Sequence, residues 1–457
     1  MKREVLEEII NSQKNLIVDG DVASGKTKNV LFPLVDEMIN KKESMFILDS
    51  REEYINEYYD KLKENDYNII TINLRDLDKS DGWNPFEYPH SLYKKGKLDQ
   101  AQEYIEKIGK TMFYENTNAD PFWAYTASDF MTGVTLGLFE DGKEDEINLN
   151  SVNNMFNGVD SKYATSDYIT TYFNMKDKAS APYIYASTTF LAPKETKGGI
   201  LSVARQKLRL FVSREKLSKI LNKTTFSYEK LLNTHTAIIF INKDENKSLN
   251  AISAMFIEQL FNILIDNKSS NRFNFVVDNF DSIEHINDLV EMLSSATSRN
   301  IKFLIGTRSL DELINKYGNY VSKLSNLLVI NNDKLRLNIS GLEKDVDKQF
   351  NEVIIKSSNI EYPKLNENPI KIFDLQKFVI DKKKDNIANS FTNPFDNVPE
   401  LPEFPGAEKY KNKSLEELIS NIDKKIEEIE AEEYKDIKEH LNTRDANISK
   451  FKIEDTL

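Results

Sequence analysis

Residues Gly20-Asp21-Val22-Ala23-Ser24-Gly25-Lys26-Thr27 fit the spacing G-x-x-x-x-G-K-[ST] and follow directly on the apolar run Leu16-Ile17-Val18. The pattern needs a strand before it and a helix after it, and both are legible here. Gly20 and Gly25 allow backbone angles and a close approach that a Cβ would forbid, so that successive N–H groups point at phosphate oxygens. Lys26 would neutralise β/γ-phosphate charge and Thr27 would present its hydroxyl to Mg²⁺. The helix opening through Asn29, Val30 and Leu34 aims its positive dipole end at the same anion. The octapeptide is therefore read as the binding loop for ATP and Mg²⁺. Gly109-Lys110-Thr111 imitates the end of this motif, but Tyr104 stands where the first glycine is required. Gln102, Ile105 and Ile108 have helical spacing, so the stretch reads as surface helix.

A chain of 457 residues exceeds what one hydrophobic core usually serves, so one large α/β domain with an insertion, or two domains and a tail, is expected. The absence of cysteine excludes disulfides and thiolate metal sites, and His90, His235, His285 and His440 lack ligand spacing. No run approaches eighteen apolar residues, and Met1-Lys2-Arg3-Glu4 lacks the apolar stretch of a signal peptide, so a cytoplasmic location is expected. A net charge of −13 argues against broad adhesion to nucleic acid or anionic membrane, while leaving room for a local basic channel.

Apolar runs bounded by turn residues recur at Asn15–Asp19, Met45–Asp49, Asn68–Leu74, Thr236–Asn242, Phe273–Asp278, Ile301–Gly306, Leu327–Asn331 and Leu335–Ile339. Most are continuous rather than alternating, as buried parallel strands are. Helical patterns such as Tyr54–Glu64 and Ile252–Asp266 separate several of them. This alternation, with the phosphate loop at the first turn, predicts an α/β fold with a mostly parallel, RecA-like sheet. Between the two groups of strands the period becomes helical (Tyr104, Ile105, Ile108, Met112, then Phe130, Val134, Leu138), which predicts an all-helical insertion over 96–190. The nucleotide domain would then be split into 1–95 and 191–385, followed by an Asn-, Pro- and Phe-rich linker at 386–408 and a helical tail at 409–457. In that tail Leu415, Leu418, Ile419, Ile422, Ile426 and Ile429 form an amphipathic stripe with Ser414 as N-cap and Glu417 three residues on. It either packs back on its own chain or docks a partner.

A phosphate-loop enzyme needs a carboxylate at a neighbouring strand end for the Mg²⁺ shell, and Asp278 ends Phe273-Asn274-Phe275-Val276-Val277 where that group belongs. The next position, often a glutamate that activates the attacking water, is Asn279, and an amide orients water but does not accept its proton. Asp281 and Glu284 are conceivable substitutes, although both read better as helix-start carboxylates. Arg299 follows one helix later, ahead of the next strand, and Arg308 follows that strand. Lys194, Lys197, Arg205, Lys207 and Arg209 form a local basic cluster that reads as solvated surface more readily than as a DNA contact.

Taken in order, these motifs resemble the coupling-protein family of type IV secretion and conjugative DNA transfer. Met45-Phe46-Ile47-Leu48-Asp49-Ser50-Arg51-Glu52-Glu53-Tyr54 resembles the family's strand ending in Asp-Pro-Lys-Gly-Glu, and Trp83-Asn84-Pro85-Phe86 resembles its W-N-P turn. Asp120-Pro121-Phe122-Trp123 opens the segment where the family inserts its all-α domain, and Gly198-Gly199-Ile200-Leu201-Ser202 leads to Leu208-Arg209-Leu210-Phe211 like the re-entering segment. Arg308-Ser309-Leu310-Asp311-Glu312-Leu313, then Tyr317-Gly318, resembles the sensor stretch Q-S-x-x-Q-L and Y-G. The resemblance runs from about Leu16 to Val379. It implies an ATP-using protein that recruits or translocates single-stranded or plasmid DNA and its relaxase. It also implies hexamers with nucleotide between subunits, Arg299 acting in trans on the neighbour's γ-phosphate, and other type IV secretion components as partners. The departures are Asn279 for the usual glutamate, Arg308 for the sensor glutamine, Arg51-Glu52 for lysine-glycine, and a missing N-terminal transmembrane pair. They predict a soluble member, peripheral at most to the inner face of the cell membrane. Two other readings stay open: a catalytically weak, nucleotide-binding adaptor that docks secretion substrates, and a non-secretory RecA-like DNA translocase.

Overall fold

The computed structural model describes residues 3–113, 120–243, 249–268, 271–283, 285–330, 335–339, 342–346 and 360–391, with isolated positions 420, 424 and 428. Nine strands form its main sheet: β1 Asn15–Gly20, β2 Ser44–Asp49, β3 Asn68–Asn73, β4 Thr236–Ile241, β5 Phe273–Val277, β6 Ile301–Thr307, β7 Ser325–Ile330, β8 Leu335–Ile339 and β9 Leu342–Val346. Their order is β9-β8-β7-β1-β6-β5-β2-β4-β3. From β7 to β3 every pairing is parallel, while β8 and β9 add an antiparallel hairpin at one edge. The expected mostly parallel α/β sheet is present, and each of the eight anticipated strands is found within a residue or two of its expected limits. β9 is the addition, and Glu343-Lys344-Asp345 in its middle explains why it has no apolar signature.

Every residue of β2, β4, β5 and β6 is buried, as expected of strands covered on both faces. Side chains alternate between two cores. Leu16, Val18, Met45, Ile47, Ile239 and Ile241 face a layer holding the helices Phe32–Asn40 and Glu53–Glu64. Ile17, Phe46, Leu48, Ile238, Phe240 and Phe275 face the opposite layer, where the helix Asn250–Asp266 lies. That second core continues without a break into the helical segment, through Ile108, Phe130, Phe156 and Phe173. Residues Met1–Lys383 form one compact unit, and the remainder is a second.

The helical segment is built on Leu98–Phe113 and Phe122–Asp141. It is not wholly helical, because Lys162–Tyr163 and Ser166–Asp167 pair as a two-residue antiparallel ladder turned by Ala164 at φ 53°. The imitation motif at Gly109-Lys110-Thr111 is helical, as expected, but only Lys110 is exposed. Gly109 and Thr111 face the interior. The helix Leu375–Phe391 runs past 386, where a linker was expected, since no proline intervenes before Pro394. The stripe from Leu415 to Ile429 lies outside the described residues.

Thr111 belongs to a buried network. Its hydroxyl donates to Oε2 of Glu258, whose other oxygen accepts the Asn287 backbone N–H at 2.7 Å, and Asn287 Nδ2 donates to Thr111 Oγ1 at 2.9 Å. Burial pushes the Glu258 carboxyl from 4.5 up to about 7, against the lowering pull of these bonds. A folded-state value above the unfolded one means that the folded protein binds more protons between them, so stability falls as pH rises through about 4.5 to 7. The shift corresponds to roughly 3 kcal/mol. Glu258→Gln is expected to remove this slope, read as a wild-type-minus-variant stability difference by urea denaturation at pH 5 and pH 8. An unchanged difference would show that the carboxyl titrates normally.

Candidate functional site

The parallel strands β1, β2, β5 and β6 end on one edge of the sheet, and the site is assembled there. β1 empties at Gly20 into the phosphate loop, in which Gly25 adopts φ 87°, a left-handed angle natural to glycine. Ala23 is also left-handed, at φ 64°. The loop closes through Ser24 N to Asp21 O at 3.1 Å and Asn29 N to Gly25 O at 2.9 Å. The chain then makes a wide π-helical turn, Thr27–Leu31, before the helix Phe32–Asn40. Phe32 N donates to Thr27 O, and Pro33 in the next position has no N–H with which to restore regular α-helical bonding.

Thr27 Oγ1 donates to Asp278 Oδ2 at 2.6 Å, so the loop and the end of β5 are joined as expected. Tyr54 O–H donates to the same oxygen at 3.2 Å, and Asn279 N donates to Oδ1 at 2.8 Å. Burial first, and the Asp278 charge second, hold the Tyr54 phenol well above its usual range, so it remains a donor. The residue after Asp278 turns left-handed, with Asn279 at φ 56° and ψ 48°, a conformation asparagine tolerates. Arg308 Nη2 donates to Asn279 Oδ1 at 3.0 Å, which brings two of the departures from the family pattern into direct contact.

Lys26 Nζ is folded back on its own loop and donates to Gly20 O at 3.0 Å. Burial holds its ammonium below the usual lysine value, opposed by the Asp278 and Asp281 carboxylates. These groups open on a cavity of about 260 Å³ lined by loop residues 21–29, by Asp49, Ser50, Arg51, Glu53 and Tyr54, and by Asp278, Asn279 and Arg308. Ser24, which lines this cavity, has its Oγ buried without a hydrogen-bond partner among the described residues. Among the described residues no three acidic or histidine side chains cluster as a self-sufficient metal site. Any cation here would rest on the Thr27–Asp278 pair together with ligand oxygens and water.

Arg299, expected to act in trans, is exposed and precedes β6, whose other end, Thr307, is the one beside Asp19. At strand rise that is roughly 20 Å from the phosphate-loop edge. Asp281 sits at a helix start, in the 3₁₀ turn Phe280–Ser282, as read. Its oxygens accept from Thr307 Oγ1 and from Arg308 N, each at 2.8 Å, and so buttress the end of β6. Glu284 lies outside the described residues. In the basic cluster, Lys197 pairs with Asp167 at 2.6 Å and Arg205 with Asp160 at 2.8 Å, in keeping with a structural surface.

The sequence model of the family described as type IV secretory system conjugative DNA transfer matches residues 10–334, which takes in the loop, Asp278 and Arg308. This chain belongs to that family. Comparison with curated proteins finds no significant match. Among solved structures, the bacterial conjugative coupling protein TrwBdeltaN70 in complex with sulphate matches at TM-score 0.51 and 14% identity, over 73% of this chain and 77% of that one. The plasmid coupling protein TrwB in complex with ADP and Mg²⁺ matches at TM-score 0.52 and 14% identity, over 71% and 76%. Its complex with the non-hydrolysable ATP analogue ADPNP matches at 0.53 and 13%, over 82% and 93%. At such identities the likeness establishes the shared RecA-like fold.

Two residues of this conjugative-transfer protein escaped the sequence reading. Tyr54 lies in a segment read for its strand, its helix and its family resemblance, and nothing local marks a hydroxyl that meets a carboxylate 224 positions away. Gly306, next to last in β6, is required by its neighbour: a Cβ there would stand 2.8 Å from Asp278 Oδ1 and 3.3 Å from Leu31 Cδ1. Asp49 ends β2, as read, and its side chain also caps the next helix. Its Oδ1 accepts from Arg51 N and Glu53 N, and its Oδ2 from Tyr54 N and Ile55 N, at 3.0–3.2 Å. Burial nonetheless pushes its carboxyl up to about 6.

Proposed function

We propose that this chain binds Mg·ATP in the cavity at the end of β1 and uses it to couple DNA and its relaxase to a type IV secretion channel. The observation that carries the reading is the meeting of Lys26, Thr27 and Asp278 there, with Thr27 and Asp278 2.6 Å apart. The residues present suit the ligand: a left-handed Gly25, an orphaned Ser24 hydroxyl and a partly desolvated ammonium. Mg·ATP supplies the phosphoanhydride bond whose cleavage powers the cycle. Lys26 would leave the Gly20 carbonyl to meet phosphate charge, and Thr27 and Asp278 would hold the cation. Arg308, beside Asn279 on the cavity wall, would meet phosphate charge from within the same chain.

The proposal includes assembly as a homo-oligomer, a hexamer by family likeness, and operation on the cytoplasmic face of the membrane through other secretion components. Among the described residues no helix is long and apolar enough to cross a membrane. For Arg299 to act in trans, the edge of the sheet where β6 begins must face a neighbour's phosphate loop. A second reading, a slow nucleotide-gated adaptor, is favoured by one observation: Asn279 stands in place of the usual carboxylate with Arg308 on its oxygen. Steady-state Mg·ATP hydrolysis with and without single-stranded DNA, with Lys26→Ala as the blank, separates the two. DNA-stimulated turnover absent from the variant supports the motor, whereas binding without turnover leaves the adaptor.

Gly306→Ala gives a finer test of the Asp278 side. Overpacking of this kind costs about 1–3 kcal/mol, and the atom in the way is the Asp278 carboxylate itself. The Mg²⁺ concentration for half-maximal ATP binding is expected to rise roughly tenfold, while binding in EDTA is unchanged. An equal loss in EDTA would show general damage instead.

A further inference from the structure

Asn279 leaves this chain without a proton acceptor at the position following the strand-end aspartate, yet four carboxylates line the cavity: Asp21, Asp49, Glu53 and Asp278. Two are committed. Each oxygen of Asp49 accepts two backbone N–H groups of the turn 51–55, and the residue is buried. Asp278 accepts from Thr27, Tyr54 and Asn279 and is the carboxylate available to the cation. Asp21 is exposed on the phosphate loop itself, where an anionic side chain shares its loop with the phosphates and no second element fixes it. Glu53 differs from all three. Its carboxylate has no hydrogen bond or ion pair among the described residues, while its backbone is pinned by Asp49 at 3.0 Å as the first residue of the helix Glu53–Glu64.

The sheet register places Glu53 well. Leu48 of β2 lies opposite Val277 of β5, so the turn after β2 stands beside Asp278 and Asn279, one strand spacing away. Tyr54, the next residue, reaches across that gap to Asp278. Glu53 therefore rides on the same helical turn that positions the cation-side carboxylate, and it faces the cavity from the neighbouring strand.

We infer that Glu53 is the proton acceptor for the attacking water in nucleoside triphosphate hydrolysis by this chain, an inference that rests on the site reading above. Glu53 takes one proton from the water as the water oxygen bonds to the γ-phosphorus. The bond from that phosphorus to the β,γ-bridging oxygen breaks, and its electron pair leaves with the nucleoside diphosphate. Glu53 then releases the proton to solvent. Asn279, held by Arg308, is left to orient the water by its amide.

The test compares Glu53→Gln, the neighbouring Glu52→Gln, whose side chain does not line the cavity, and Lys26→Ala. Glu53→Gln is expected to lower turnover roughly 100-fold or more, with affinity for a non-hydrolysable ATP analogue within about threefold of wild type. After incubation with Mg·ATP, the nucleotide recovered from this variant is expected to be ATP, and that from wild type ADP. Glu52→Gln is expected to match wild type in all three readouts. Wild-type turnover by Glu53→Gln would overturn the inference while leaving the site intact, and so would a wild type that binds the analogue but turns over no faster than Lys26→Ala. Analogue binding that survives Lys26→Ala would overturn the site reading and the inference together.

Discussion

Lys26→Ala is expected to abolish most Mg·ATP affinity while leaving the fold in place. The variant loses one charge-assisted contact to phosphate in a partly desolvated cavity, worth about 3 kcal/mol, or roughly 100-fold in dissociation constant. What it gives up in the unliganded protein is small, because Lys26 Nζ is only half-buried and its hydrogen bond there is to the Gly20 carbonyl at 3.0 Å. A fluorescent ATP analogue titrated against both proteins, alongside thermal melts, checks the pair of claims. Equal affinities would mean that the ammonium stays on its own loop, and a collapsed melting transition would mean that it is a structural group.

Asn84→Ala is expected to be the most destabilising single polar change, at about 3–5 kcal/mol. Asn84 is buried at the seam between the sheet and the helical segment. Its Nδ2 donates to Ile147 O at 2.7 Å and to Asn222 O at 3.0 Å, and its Oδ1 accepts from Phe86 N at 3.0 Å. Alanine leaves three backbone groups of three separate segments without their partner. The adjacent Trp83 Nε1 donates to Gln259 Oε1 at 3.0 Å, and Gln259 Nε2 donates to Pro85 O at 2.8 Å, so the seam is tied twice over. Urea denaturation measures the loss. A cost below about 1 kcal/mol would show that water satisfies the vacated groups.

What the sequence disclosed and what it withheld divide along a physical line. The phosphate loop and the eight anticipated strands are legible because local rules govern them: glycine spacing in the loop, and unbroken apolar runs such as Met45–Leu48 and Phe273–Val277 in strands covered on both faces. β9 was missed because its pairing comes from the hairpin, not from apolar content. Asp278 is legible as a strand-end carboxylate, yet its supports are not. Tyr54 and Gly306 act on it through space, one by a hydroxyl and the other by the absence of a methyl group. Arg299 is close to Asp278 in sequence and far from it in the fold, because the helix Leu289–Ala296 carries the chain back to the start of β6. Asp281 is legible as a helix-start charge but not as a brace, because its partners Thr307 and Arg308 belong to another strand end.

The central claim is that Mg·ATP occupies the sheet edge formed by the ends of β1, β2, β5 and β6, and backbone hydrogen exchange with and without the nucleotide tests it most directly. The account predicts protection concentrated in residues 20–29, 49–55, 278–281 and 306–309, lost when Mg²⁺ is withheld or Lys26 is replaced by alanine. Protection confined to the opposite edge, around residues 297–301, or none at all at saturating Mg·ATP, would contradict it.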